Sequence, residues 1–192
     1  MNVLLFEDLF LTICDYFNMK QMIKLELLSK DHSRLIRKTP WSHNVVIENT
    51  GIMNHVIKNY QFKTLHIWLY IDVNLYIDYL KHCHTLRVTG TNITDESVKQ
   101  LKNCHTLFLS LNNITDESVK TLKNCHTLHL SHNNTDESVK ELNNCHTLSL
   151  TDTKITDESV KMLNCKILTL FNTNVTDECI KILRLTGCIV YK

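Results

Sequence analysis

The chain has 192 residues, and its 21 Lys and Arg stand against 20 Asp and Glu, a formal charge of +1. That balance excludes a surface built for general nucleic-acid binding, which needs dense positive charge to release counterions from phosphates. The three glycines, Gly51, Gly90 and Gly187, are too far apart to write a phosphate-cradling loop, so the common nucleotide-binding enzyme classes are excluded as well.

The N-terminal stretch Met1–Leu11 carries Glu7 and Asp8 inside its apolar run and no Lys or Arg before it, unlike a secretory or basic amphipathic leader. No apolar run reaches the roughly 18 residues of a bilayer span. Eight cysteines without an export signal read as reduced thiols, hence an intracellular protein of the cytoplasm or nucleus. From Leu4 to Ile36 the pattern predicts compact helices. Leu5, Leu9, Ile13, Tyr16 and Phe17 share one helical face, and Met22, Ile23, Leu27 and Leu28 share another. Asn18 marks the break between them, and Thr39-Pro40-Trp41 closes the region. On periodicity alone these helices serve as a cap over the open core of the next segment.

That next segment is a repeat. Cys83, Cys104, Cys125, Cys145 and Cys165 recur at intervals of 21, 21, 20 and 20, the first four opening Cys-His-Thr-Leu-x-Leu or a close variant. Thr-Asp-Glu-Ser-Val-Lys starts at Thr94, Thr115, Thr135 and Thr156, with a divergent copy at Thr176. Weaker copies extend the register back through Leu65 and Ile67 to Val45 and Ile47, which divides the chain into residues 1–43 and about seven units of 20–21 residues over 44–192. Within a unit, Leu107 and Leu109 alternate as a strand, and Ile114, Val119 and Leu122 come after them at short-helix spacing. Thr115 is placed to cap that helix and Asn124 to end it in a left-handed conformation. Asp116 and Glu117 suit the positive end of the helix dipole. One such unit is too small to stand alone, so the units stack into a solenoid with one parallel sheet. Gly187–Lys192 reads as a last strand with no helix after it.

Cys104-x-x-Leu107-x-Leu109-x-x-Asn112-x-Ile114 resembles the leucine-rich repeat, with Cys at the first apolar position. The family's Asn is kept at Asn112 and Asn133 and replaced by Thr91, Thr153 and Thr173. The resemblance implies an α/β solenoid with a parallel sheet on the concave side and short helices on the convex side. The unit with Asn133-Asn134-Thr135 is one residue short and should be the loosest rung. Further upstream, Leu5-Phe6-Glu7-Asp8-Leu9, Ile13, Tyr16-Phe17, Met22, Leu27-Leu28-Ser29-Lys30, Leu35 and Trp41 resemble the F-box motif, with Phe6 at the family's early Pro and His32 at its mid-motif Trp. F-box/leucine-rich-repeat proteins occur in eukaryotes and in large amoeba-infecting viruses. That resemblance implies a substrate-recognition subunit of an SCF-type ubiquitin ligase. Leu5, Phe6, Leu9, Ile13, Phe17, Met22 and Leu28 would dock on the ligase adaptor and, through it, the cullin complex. The alternative is a repeat scaffold that binds one protein and recruits no ligase, its helices only a cap.

The remaining motifs point away from catalysis. Cys-His pairs 20–21 residues apart match no zinc-site spacing, and the register turns each Cys inward as a small apolar residue and each His outward. No metal, cofactor, nucleic acid or membrane partner is expected, and no catalytic residue. His84, His105, His126 and His146 should fall about 4.8 Å apart along the solenoid, close enough to touch and to hold one another's protonation down. The Asp-Glu-Ser-Val-Lys charges read as a solvated face with weak ion pairs. The outward column of the strands is His66, Arg87, Phe108, His129, Ser149 and Thr169, beside a second with Trp68 and Phe171. These positions vary while the core repeats, and they hold residue types that anchor interfaces. His66, Trp68, Arg87, Phe108, His129 and Phe171 are therefore the candidate target-binding residues.

Overall fold

The computed structural model describes residues 10, 12, 14, 18–47, 50–68, 71–111, 114–132 and 135–192. Helix α1 (Met19–Glu26) starts at Asn18, whose side chain accepts from the Gln21 N–H at 3.1 Å while Gln21 accepts from the Asn18 N–H at 2.9 Å. This reciprocal box satisfies two amides that an uncapped helix leaves open. Helix α2 (Lys30–Lys38) starts at Ser29, whose hydroxyl accepts from the His32 N–H. It stops where Thr39, extended ahead of Pro40, can no longer continue the helical ladder. Leu5, Phe6, Leu9, Ile13 and Phe17 lie outside the described residues.

Among the described residues, eight strands form one parallel sheet in strict sequence order. They are β1 (Trp41–Ile47), β2 (Phe62–Trp68), β3 (Thr85–Thr89), β4 (Thr106–Ser110), β5 (Thr127–Ser131), β6 (Thr147–Thr151), β7 (Ile167–Thr169) and β8 (Ile189–Tyr191). Helix α3 (Thr50–Asn59) joins β1 to β2, and a 3-10 turn with the single-turn α4 (Ile77–Leu80) joins β2 to β3. The later crossings are α5 (Asp95–Gln100), α6 (Asp116–Val119), α7 (Asp136–Val139), α8 (Asp157–Val160) and α9 (Asp177–Leu185). Six of these eight strands carry the repeat, and β1 and β8 bracket it.

The pairing runs Leu65, Leu86, Leu107, Leu128, Leu148, Leu168 and Val190 into one file, every member 5 % exposed or less. A second file runs from Ile67 through Val88, Leu109, Leu130 and Leu150 to Leu170. Cys83, Cys104, Cys125, Cys145 and Cys165 form a third, also buried. A β-pattern two residues apart aims both strand leucines of a unit at the helices, so stacking units makes one continuous core. Phe10, Cys14, Met22 and Ile36 belong to that same core, together with Trp41, Val45 and Ile57. A polar tie adds to it: Arg37 donates to both oxygens of Glu26 at 3.0 and 3.3 Å and to Asn59, the last residue of α3, at 3.2 Å. The α1–α2 pair thus closes the first rung rather than standing apart from it.

Two features depart from the sequence expectation. Asn124 is not left-handed; among the described residues, apart from Gly187 (89°) after α9, the positive φ angles fall just after the strands, at Gly90 (62°), Leu111 (57°), His132 (66°), Asp152 (56°) and Asn172 (53°). The chain must turn sharply there to leave the sheet, and only Gly90 does so without a Cβ penalty. Thr115 does not cap its own helix through its hydroxyl. Its N–H and hydroxyl donate instead to the two oxygens of Asp95, at 2.9 and 2.7 Å.

That contact is one rung of a ladder. Asp116 takes the same pair of donors from Thr135, Asp136 from Thr156, and Asp157 from Thr176. Asn74 begins it by accepting from Thr94. Each carboxylate therefore serves the helix start of the following unit, where orphan amides await an acceptor. The motif's Glu and Lys behave as expected, pairing on the surface at 2.7 Å (Glu96–Lys99) and 2.6 Å (Glu137–Lys140).

Candidate functional site on the open face of the sheet

The helices cover one face of the sheet, and the other is open. In-register pairing sets His66 beside Arg87, Arg87 beside Phe108, Phe108 beside His129, and His129 beside Ser149. The side chains then stack. The Arg87 guanidinium lies 4.1 Å from the Phe108 ring centre, and Phe108 lies 4.0 Å from the His129 ring with 12° between their planes. These separations are shorter than the strand spacing of about 4.8 Å, so the rings lean together into one slab. A guanidinium over an aromatic face is held by the ring quadrupole as well as by contact.

The slab has a definite electrostatic character. Burial, with the nearby Arg87 charge second, holds both His66 and His129 below the ordinary imidazole value, so both favour the neutral form. Arg87 carries the slab's charge, and its Nε is buried without a hydrogen-bond partner. In the adjacent row Trp68 pairs with Thr89 and Thr89 with Ser110, and Trp68 is 42 % exposed. Phe171 is half exposed in the turn after β7, beyond the strand itself and several rungs from Arg87. The structure therefore gathers His66, Arg87, Phe108 and His129, sets Trp68 beside them, and places Phe171 at the far end.

At the strand entrances His84, His105, His126 and His146 form a second stack, with ring centres 4.4, 4.5 and 4.6 Å apart and planes within 16° of parallel. Each Nδ1 meets the hydroxyl of the next residue, a threonine, at 3.2 Å. Burial and the neighbouring His84 and His126 lower the protonation of His105. Behind them, burial pushes the thiols of Cys83, Cys104, Cys125, Cys145 and Cys165 up to about 12. Such thiols are neutral and unreactive at physiological pH. Among the described residues no group of three or more His, Cys, Asp or Glu is placed to hold a metal, and no helix is long and apolar enough to cross a membrane.

Of the residues expected to meet a ligase adaptor, Met22 is buried and Leu28 is exposed in the turn between α1 and α2. Sequence reading found the row of the slab but not its contacts. Strand alternation fixes which residues face outward, whereas stacking depends on rotamers that no pattern records.

A leucine-rich-repeat family profile matches residues 105–123, one unit spanning β4 and α6. A search of curated proteins finds no match. Among solved structures, an internalin of Listeria monocytogenes (inlF) superposes with a TM-score of 0.55 at 16 % identity, over 78 % of this chain and 47 % of the internalin. The fold is a leucine-rich-repeat solenoid. Internalin C2 of the same species (inlC2) aligns at a TM-score of 0.42 and 20 % identity, over 68 % of this chain and 58 % of its own. The chain spans about half the length of these two proteins.

Proposed function

We propose that the chain is a protein-binding repeat scaffold whose open sheet face docks one partner. The observation that carries this reading is the contrast between two sets of positions in the same units. Core and helix residues repeat almost unchanged, whereas the facing row changes at every rung and holds Arg87 and Phe108, with the exposed Trp68 in the row beside it. Arg and aromatic side chains on a rigid surface are the usual anchors of a protein interface, and a sheet fixed by eight parallel strands meets a partner with little ordering cost. The eight free thiols support a reducing, intracellular setting.

The test is site-specific photocrosslinking in cells. A crosslinker at position 108 on the open face should yield a discrete adduct, and one at position 161 on the helix side should not. Equal adducts from both positions, or none from position 108, would refute the reading.

A second reading retains residues 1–43 as an F-box-like unit that joins a ubiquitin ligase, supported by the order of apolar residues from Leu5 to Trp41. Met22 and Ile36 inside the solenoid core favour the capping role instead. Co-purification with the ligase adaptor, compared between the wild type and Leu9→Asp, separates the two. Adaptor recovered with the wild type and lost with the variant would establish the ligase link.

A further inference from the structure

All eight strands of the sheet are free of Asp and Glu, although the chain contains 20 of these residues. Among the described residues the acids sit in the helices and turns, and those of the repeat are concentrated in the Asp-Glu pairs at the helix starts. The strands do carry positive charge, on Lys63 and Arg87. Negative charge is therefore missing from the strands, whereas the lysines of the repeat helices pair with the acids on the other side.

Arg87 stands out among the four arginines. Arg34 pairs with Asp31, Arg37 with Glu26, and Arg184 donates to the Val190 carbonyl. Among the described residues Arg87 has no carboxylate and no hydrogen-bond acceptor, and its Nε is shielded from water. Its Cζ sits 4.1 Å over the Phe108 ring, which is itself backed by His129. With Nε shielded, the two Nη groups are the edge left to act as a two-toothed fork, the geometry a carboxylate matches. Among the described residues the acid that directly follows a strand is Asp152, three rungs away after β6, and it accepts from Asn172 at 2.7 Å. The opposite rim, at the strand entrances, adds exposed Lys102 and Lys123 beside the histidine stack.

We infer that Arg87 is the anion anchor of the open face, and that the partner docks an acidic, Asp- or Glu-bearing segment with one carboxylate on the Arg87 fork and the adjoining chain against Phe108 and Trp68. This inference rests on the proposed docking role of that face and names its chemistry. A carboxylate fits better than a phosphate because the slab offers a single permanent cation. Its immediate neighbours in the row are His66 and an aromatic ring, which leaves nothing to neutralise a second negative charge.

The experiment is an NMR titration of the full chain, following the Arg87 Nε–Hε and Trp68 indole signals. The probes are a Gly/Ser peptide bearing four Glu, its four-Gln counterpart, and a singly phosphorylated Ser peptide of equal length. The Glu peptide should shift both signals saturably, and the Gln peptide should not. Arg87→Gln should weaken the Glu peptide about tenfold or more, read on Trp68, and Arg87→Lys should recover only part of that loss because an ammonium lacks the fork. Preserved Leu128 and Val88 methyl signals in each variant establish that the sheet is intact. Unchanged Glu-peptide affinity in Arg87→Gln overturns the inference, and so does tighter binding of the phosphopeptide. A Trp68 shift that survives Arg87→Gln refutes the anchor but leaves the docking face standing. Failure of crosslinking at position 108 refutes the docking face independently.

Discussion

Removing the Asp136 carboxylate tests the ladder where it is most heavily used. Asp136 accepts from the Thr156 N–H at 2.8 Å, the Thr156 hydroxyl at 2.6 Å and the Ser159 hydroxyl at 2.6 Å. Ordinary hydrogen bonds contribute about 0.5–1.5 kcal/mol each and bonds to a charged acceptor more. The carboxylate is half buried, so water replaces part of what is lost and the lower range applies. Three such bonds give roughly 2–4 kcal/mol for Asp136→Ala. Asp136→Asn keeps one acceptor oxygen and should lose about half as much. Burial alone would raise the Asp136 carboxyl, but hydrogen bonds from Ser159 and Thr156 outweigh it and hold the group below its ordinary value. A carboxyl depressed in the folded state stabilises above its unfolded value of about 3.9, and that contribution fades as pH falls through the folded value. Urea denaturation followed by circular dichroism should therefore show a wild-type advantage at pH 7 that narrows toward pH 3. A difference below about 0.5 kcal/mol at pH 7, or one that does not narrow on acidification, refutes the argument.

Three further outcomes rest on particular residues. Leu111 is held at φ 57° and is 56 % exposed; Leu111→Gly removes a left-handed strain of about 1–2 kcal/mol at the expense of a more flexible unfolded chain. Its melting temperature should rise, and a fall would contradict the strain. Cys125 is fully buried among apolar neighbours, so Cys125→Ser should destabilise by about 1–3 kcal/mol through an unpaired hydroxyl. In the folded wild type a disulfide reagent should label the half-exposed Cys188 first, and rapid labelling of Cys125 would be inconsistent with its burial. His66, His105 and His129 are all held below the free imidazole value. As pH falls through about 6.5 the unfolded chain binds protons first, so stability is retained above that point and lost below it. A melting temperature that stays flat from pH 7.5 to 5.5 would contradict this.

The repeat made most of the architecture legible. Period-two leucines beside a short helical spacing can bury their apolar atoms only by stacking, and the cysteine and histidine files are consequences of the same register. The Asp95–Thr115 contact was hidden because an acid after a helix-capping Thr is equally well explained by the dipole of its own helix. Nothing within one unit shows that its carboxylate serves the next. The left-handed turns escaped notice because Gly90, Leu111, His132, Asp152 and Asn172 share a conformation but no side-chain chemistry. For the candidate site, alternation revealed that Arg87 and Phe108 face outward. Their 4.1 Å contact, and the lack of a carboxylate paired with Arg87 among the described residues, needed the three-dimensional arrangement.

The ladder of carboxylates runs one way along the chain, from Asn74 and Asp95 toward Thr176. Every incoming helix therefore finds its acceptor already laid down by residues synthesised before it. A ribosome releasing the chain from its amino end would add each coil onto a finished template, so growth of the solenoid could keep pace with translation without awaiting the carboxyl end.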